Sequence, residues 1–301
     1  MRRLVVHRVC ISVSAPFTGL PRLGDMTVPT LTMNNGVRIP QLGFGVFLVP
    51  DTETRAAVTT ALRAGYRHID TAKLYQNEAG VGAAIAESGI ARDELFVTTK
   101  VWNSEQGYDP AIASFEASLD RLGLDVLDLL LIHWPAPDLD RYVDTWRAFE
   151  KLYADGRVRA IGVSNFHPAH LRRLLDETDV VPAINQIELH PLLPQAELRA
   201  FHAEHGILTE AWSPLARGGS VLTDPVVTSI ADRLGRSPAQ VVLRWHIELG
   251  TVVIPKSVTP ARIAENIDVF DFSLTGDDHR AIAGLETGER IGPNPDTFSR
   301  G

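Results

Sequence analysis

Between residues 42 and 266 the chain repeats one unit eight times: a short apolar run, then a stretch whose apolar side chains fall at helical spacing. The runs lie at 42–47, 68–70, 96–100, 127–133, 160–164, 183–188, 208–212 and 252–254. The helical patterns that follow them lie at 52–64, 77–88, 110–122, 142–155, 168–177, 197–205, 237–249 and 260–266. Eight strand-then-helix units with no linker between them favour an α/β chain closed into a (β/α)8 TIM barrel over an open doubly wound sheet. Two extra helices are expected near 226–234 and 277–285, and Asn34-Asn35-Gly36 between short strand-like pieces predicts an N-terminal β-hairpin. Asp109-Pro110, Ser237-Pro238 and Thr259-Pro260 read as helix starts, with proline at the first helical position behind a capping side chain.

The barrel accounts for residues 26–301. Residues 1–25, with Arg2, Arg3, His7 and Arg8 breaking their apolar stretches, read as a disordered extension or a start assigned upstream of Met26, with a secretion signal the weaker alternative. No run approaches the length of a membrane span. The whole chain carries a net charge of −8 with scattered basic residues, which argues against nucleic acid as a partner because phosphate backbones need clustered Lys and Arg. A single cysteine, Cys10, excludes an intrachain disulfide and a Cys-based zinc site, and a reducing cytoplasm fits that usage.

Asp70, Lys100 and His133 each end an apolar run, and Tyr75 follows in the loop after the first of them. Titratable groups at the carboxyl ends of successive parallel strands are where such a barrel keeps its chemistry. No Gly-x-Gly-x-x-Gly turn joins a strand to a helix and no Walker-type loop is present, so a nucleotide must be held in another way. The segment from Val253 to Asn266 leaves the eighth strand and enters a helix. Lys256, Ser257, Thr259, Arg262 and the helix N–H groups could converge there on an anion; the alternative is an ordinary helix cap with a solvated basic face.

Several separated segments then resemble the aldo-keto reductase family, in the expected order: His68-Ile69-Asp70-Thr71-Ala72-Lys73-Leu74-Tyr75-Gln76-Asn77-Glu78, Thr99-Lys100-Val101-Trp102, Leu130-Leu131-Ile132-His133-Trp134-Pro135, Gly162-Val163-Ser164-Asn165-Phe166 and Ile254-Pro255-Lys256-Ser257. The short loops and the Lys-Ser-Val-Thr-Pro-Ala-Arg segment resemble the bacterial branch containing 2,5-diketo-gluconate reductases. The resemblance implies NADPH-dependent reduction of aldehydes, ketones or dicarbonyls, keto-sugars and methylglyoxal-like compounds among them. It makes Tyr75 the general acid, Lys100 the charge that favours tyrosinate, Asp70 the partner that orients Lys100, and His133 the donor to the substrate oxygen. Ser164, Asn165 and Gln186 fall where the family holds the nicotinamide carboxamide. Trp212 stands at the stacking position, which is tyrosine in many members. Ser213, Leu215 and the loop through Arg217 would follow the pyrophosphate. Lys256, Ser257 and Arg262, with Val258 nearby, would take the 2′-phosphate, and Glu265 and Asn266 the adenine. Substrate would enter over Phe47, Trp102 and Trp134 and meet His133, with Phe298 from the tail closing the pocket. A monomer acting on a small molecule, with no metal, completes what the resemblance implies.

Each of these residues has a plain structural reading: Asp70 and Lys100 a buried ion pair, His133 a satisfied core histidine, Tyr75 a loop residue capping the barrel. Two other functions compete. A barrel hydrolase would use His133, Glu188 and His190 as metal ligands, though no His-x-His follows the first strand. A non-catalytic NADPH-binding regulator would keep the fold without turnover. The pairs His167/His170 and His202/His205 lie in helical segments with no third ligand, and are expected on solvated faces.

Overall fold

The computed structural model describes residues 28–300, so the extension expected over residues 1–25 lies outside the described residues. A hairpin of β1 (Thr30–Thr32) and β2 (Arg38–Pro40) opens the fold, closing over Gly36, whose φ of +82° suits glycine. Eight parallel strands follow: β3 (Phe44–Gly45), β4 (His68–Asp70), β5 (Phe96–Val101), β6 (Leu127–Ile132), β7 (Val158–Ser164), β8 (Ile184–Glu188), β9 (Leu208–Trp212) and β10 (Val252–Val253). They pair in chain order. A parallel bridge from Leu42 to Val253, with the N–H of Gly43 on the Val253 carbonyl and that of Val253 on Gln41, joins the last strand to the first and closes the barrel. The expected (β/α)8 architecture is therefore observed.

The helices that cover the strands are α1 (Asp51–Arg63), α2 (Glu78–Glu87), α3 (Tyr108–Leu122), α4 (Tyr142–Ala154), α5 (Pro168–Glu177), α6 (Ala196–Glu204), the additional α7 (Pro225–Leu234), α8 (Pro238–Glu248), α9 (Pro260–Ile267) and the additional α10 (Gly276–Ala283). Of the three capping expectations only Ser237 holds as written, accepting the Gln240 N–H in a capping box. Helix α3 starts at Tyr108 behind Gly107, because the Gly107 N–H is drawn onto the Thr145 hydroxyl, and Asp109 therefore falls inside the first turn. Thr259 sits at the N-cap of α9 but makes no capping bond.

Alternation along the strands divides most of the packing. Val97, Leu130, Ile132, Ile161 and Val163 join the main apolar cluster with residues such as Phe115, Trp146 and Phe149 of the helices. Leu129, Leu131, Ala160, Ile184 and Val252 form a second cluster with Met33 and Ile39 of the hairpin. The hairpin thus plugs the end of the barrel at which the strands begin, and Asn34 and Asn35 fasten it through bonds to the carbonyls of Pro182 and Arg159. The opposite end is left open for chemistry.

Candidate active site

At the carboxyl ends of the strands lies a cavity of about 860 Å³ with two limbs, one over β4 to β6 and one reaching the start of α9. Tyr75 enters the first limb from a single 3-10 turn (Lys73–Tyr75) that Gln76 ends in the left-handed region at φ 55°. Asn77 fixes that turn. It accepts from the Thr71 hydroxyl and donates to the carbonyls of Val46 and Val49, so the loop carrying Phe47 is tied to the loop carrying Tyr75.

Beneath the phenol, the Lys100 ammonium is fully buried and donates to both carboxylate oxygens of Asp70 at 2.6 and 2.8 Å, to the Thr71 carbonyl at 2.9 Å and to the Tyr75 hydroxyl at 3.4 Å. Burial opposes its charge, but Asp70 and Tyr75 outweigh burial and its pKa is raised, so it stays an ammonium. The same burial pushes the Tyr75 hydroxyl up to about 12; the Lys100 charge pulls against it, and Asp70 and Glu210 give part of that back. The phenol therefore holds its proton. The expectation that its neighbours ease proton release is met by Lys100 alone, and desolvation outweighs it.

His133 follows β6, with its ring edge-on to Tyr75 at 5.6 Å and to Trp102 at 5.0 Å between centroids. Burial first, and then Lys100, hold its pKa well below the usual imidazole range. Its Nδ1 is buried without a partner, and its Nε2 is bound by no protein atom while the residue lines the cavity. A neutral imidazole placed in this way has an N–H to offer a ligand oxygen.

Two further carboxyl groups, Glu210 and Glu188, stand in the barrel. Glu210 on β9 is fully buried and accepts from Gln186 Nε2 at 3.0 Å; the same nitrogen donates to Asp70 at 2.8 Å. A glutamate in mid-strand carries no sequence signal of which face it occupies; only its two-residue offset from Trp212 could have pointed inward. Glu188, weighed as a metal ligand, instead accepts the N–H groups of Ile291 and Gly292 from the C-terminal tail and pairs with His190 at 3.1 Å. Both of its oxygens are committed to that clamp.

The second limb suits a dinucleotide. With its nitrogen spent on Asp70 and Glu210, Gln186 turns its oxygen toward the cavity it lines. Asn165, at φ 65°, donates to the His133 carbonyl and the Ser164 hydroxyl and accepts from the Trp212 indole at 2.8 Å. Ser164 in turn bonds the Gln186 carbonyl at 2.8 Å, so these polar groups form one connected rim beside the Trp212 ring. Ser213, Leu215 and Arg217 line the wall beyond, with Ser213 and Arg217 left-handed. At the far end, Lys256, Ser257, Arg262, Glu265 and Asn266 are all on the cavity wall. Lys256 and Arg262 make no ion pair or hydrogen bond among the described residues, and the uncapped N-terminus of α9 lies beside them. Thr259 makes no capping bond, while the Ser257 hydroxyl accepts the Thr259 N–H; Lys256 and Arg262 are exposed beside this helix start, an arrangement that suits an anion and equally the solvated basic face. Ser237 to Ala239 also line this end, though the sequence marked Ser237 only as a cap. Val258 is a correction: it is exposed on the same loop and does not line the cavity.

Phe47, Trp102 and Trp134 line the mouth, and Phe298 comes from the tail to pack against Trp134 in a tilted contact at 4.7 Å and against Trp102 edge-on at 6.2 Å. Leu48, Leu74, Gly292 and Pro293 complete it. The histidines expected on solvated faces differ. His202 is fully buried between Asn185 and Thr209, and His170 is buried and accepts the His167 N–H, because both α5 and α6 turn these positions toward the barrel. Among the described residues no group of three His, Cys, Asp or Glu side chains is placed to hold a metal ion, and no helix is long and apolar enough to cross a membrane.

A phenol, a buried ammonium and a neutral imidazole at one end of a long cavity in a (β/α)8 barrel are the site of a nicotinamide-dependent oxidoreductase, the class to which the family match assigns the chain. The aldo/keto reductase family model matches residues 41–287, and the chain belongs to that family. It is 60% identical over 271 residues to an aldo-keto reductase of Mycolicibacterium smegmatis, covering 90% of this chain and 98% of that one. It is 53% identical over 268 residues to a glyoxal reductase of Bacillus subtilis, covering 89% and 96%. The crystal structure of a Gox0644 variant in complex with NADPH superposes with a TM-score of 0.87 at 48% identity, over 90% of this chain and 99% of that one.

Proposed function

We propose that this aldo-keto reductase acts on small uncharged dicarbonyls of the glyoxal and methylglyoxal type, with Tyr75 as the general acid. NADPH, when bound, supplies the hydride. The observation that carries the roles is that Tyr75 and His133 line the cavity side by side, their ring centroids 5.6 Å apart, with the buried Lys100 ammonium 3.4 Å behind the phenol oxygen. His133 donates its N–H to the carbonyl oxygen and holds it beside the phenol. Tyr75 gives its proton to that oxygen as negative charge develops there, and Lys100 stabilises the phenolate left behind. Asp70, accepting two hydrogen bonds from the ammonium, fixes where Lys100 points.

The substrate class follows from the distribution of charge. Every cation on the cavity wall belongs to the limb that suits the cofactor: Arg217, Lys256 and Arg262. The mouth offers aromatic and aliphatic side chains around Tyr75 and His133, and no group that would pair with a carboxylate. Homologues named for glyoxal and methylglyoxal reduction support the same class. Since one chain's own tail completes the mouth, a monomer has a finished site.

The deciding measurement is NADPH oxidation with glyoxal, methylglyoxal and a 2-oxo acid, in the native protein and in Tyr75→Phe. We expect the dicarbonyls to be preferred, and Tyr75→Phe to lose roughly 10²-fold or more in kcat while binding NADPH with nearly unchanged affinity. Retained turnover in Tyr75→Phe would remove the phenol from its role. Tight NADPH binding with no oxidation by any carbonyl would replace the enzyme by a cofactor-binding regulator.

A further inference from the structure

The barrel interior under Tyr75 holds two carboxyl groups and one cation. Asp70 and Glu210 share the single donor Gln186 Nε2, at 2.8 and 3.0 Å, and Lys100 gives its protons to Asp70, Thr71 and Tyr75, none to Glu210. Among the described residues Glu210 Oε1 has no hydrogen-bond partner. The groups around Glu210 can be named strand by strand: His68 and Asp70 from β4, Lys100 from β5, Gln186 from β8 and Val252, its paired neighbour, from β10; the β3 segment contributes only uncharged residues. His68 stands 3.8 Å from Glu210 Oε1 but is no counter-ion, since burial and the Lys100 charge lower it to about 3.

Two carboxylates cannot both be ionised in such a place beside one ammonium. We propose that Glu210 is a positioning residue for carbonyl reduction: its proton, held at the second carboxyl of the Asp70–Gln186–Glu210 chain, sets how much of the Lys100 charge is available to Tyr75. When Glu210 is neutral, Lys100 answers to Asp70 and to the phenolate that forms as Tyr75 gives up its proton. When Glu210 ionises, a second negative charge enters the interior, phenolate formation is opposed, and Tyr75 becomes a poorer acid. Burial and the Asp70 charge push Glu210 up to about 8, which puts the change at the alkaline edge of the working range. The sign is fixed by the charge: turnover in the reducing direction falls as pH rises through that value.

This rests on Tyr75 being the general acid, and the experiment separates the two. The pH profile of kcat for methylglyoxal reduction is recorded from about pH 6.5 to about pH 9.5 for the native protein, Glu210→Gln and Tyr75→Phe, with deuterated NADPH to show that hydride transfer limits the rate. The native protein should lose several-fold to about tenfold in kcat across the alkaline range, and Glu210→Gln, which keeps the Gln186 partner but cannot ionise, should lose that limb. An alkaline limb that persists in Glu210→Gln while Tyr75→Phe is inactive overturns the role of Glu210 alone. An active Tyr75→Phe overturns the reading beneath it. A second arm needs no variant: the infrared carbonyl stretch of a protonated carboxyl should be present in the native protein at about pH 6.5 and lost by about pH 9.5, and its absence at the lower pH overturns the proposal.

Discussion

Lys100 has one charge and three claimants, and the four side chains around it differ in how plainly the sequence announces them. Asp70, Lys100 and His133 stand out because a charged or titratable group at the end of an apolar run is costly to bury without a reason. Tyr75 is harder to see alone, and becomes visible only beside the other three. Glu210 sits between Thr209 and Ala211 with only its two-residue offset from Trp212 to suggest which way it faces, and the pairing of β9 with β8 turns it onto Gln186. The same contrast holds at the anion end. Lys256 and Arg262 are legible as cations near a helix start, whereas the uncapped state of Thr259 is a matter of geometry. A prediction belongs to this scale. Arg262 is exposed and unpaired, so Arg262→Ala should cost only what the arginine gives a phosphate, about 1.5–3 kcal/mol for a charge-assisted bond, or roughly 10- to 100-fold in NADPH affinity. NADH, lacking the 2′-phosphate, should change by less than about threefold. Fluorescence titration with both cofactors checks it, and equal losses would move the phosphate elsewhere.

Among the elements, the C-terminal tail was the least legible. Its sequence predicts no helix or strand, and only Phe298 drew notice; the structure shows that it is placed by bonds to the barrel. Glu188 at the end of β8 takes the Ile291 and Gly292 N–H groups, Asp296 takes His167 at 2.8 Å, and Asn103 and Asp138 hold Arg300 and Ser299 at 2.8 and 3.1 Å. Gly292 has to be glycine, since a Cβ there would stand 2.5 Å from the Trp212 ring. The clamp also accounts for the acidity of Glu188: burial raises its pKa, and His190 together with the two N–H bonds outweighs burial, leaving it lowered. Glu188→Ala therefore frees the near end of the tail and leaves Phe298 less well held over the mouth. Losing two bonds to a charged acceptor should raise KM for the carbonyl by about tenfold or more, with a smaller change in NADPH affinity. Steady-state kinetics with cofactor and carbonyl varied in turn would test it, and a larger effect on NADPH than on the carbonyl would show that the tail serves the cofactor instead.

For the molecule as a whole, eight units could be counted because each strand is buried on both faces and each helix presents one apolar stripe. The seam of the barrel was read less well. Strands 42–47 and 252–254 shrink to two paired residues each, because Pro255 has no N–H to continue the ladder and only its carbonyl reaches Gly45. What closes the barrel besides that seam is the plug: Met33 and Ile39, 2% and 0% exposed, fill the end where the strands begin, against Leu129, Leu131 and Val252. Polar chemistry at one end and apolar packing at the other make the two ends separable. Ile39→Ala should therefore cost about 2–5 kcal/mol in stability, the usual penalty for a cavity at a fully buried isoleucine. It should leave kcat and KM within about twofold, since among the described residues the plug's apolar cluster and the cavity wall share no residue. Urea unfolding alongside assays well below the transition distinguishes the outcomes. A loss of turnover in protein that is still folded would mean that the base of the barrel sets the position of Asp70 and Lys100, and that the two ends act as one body.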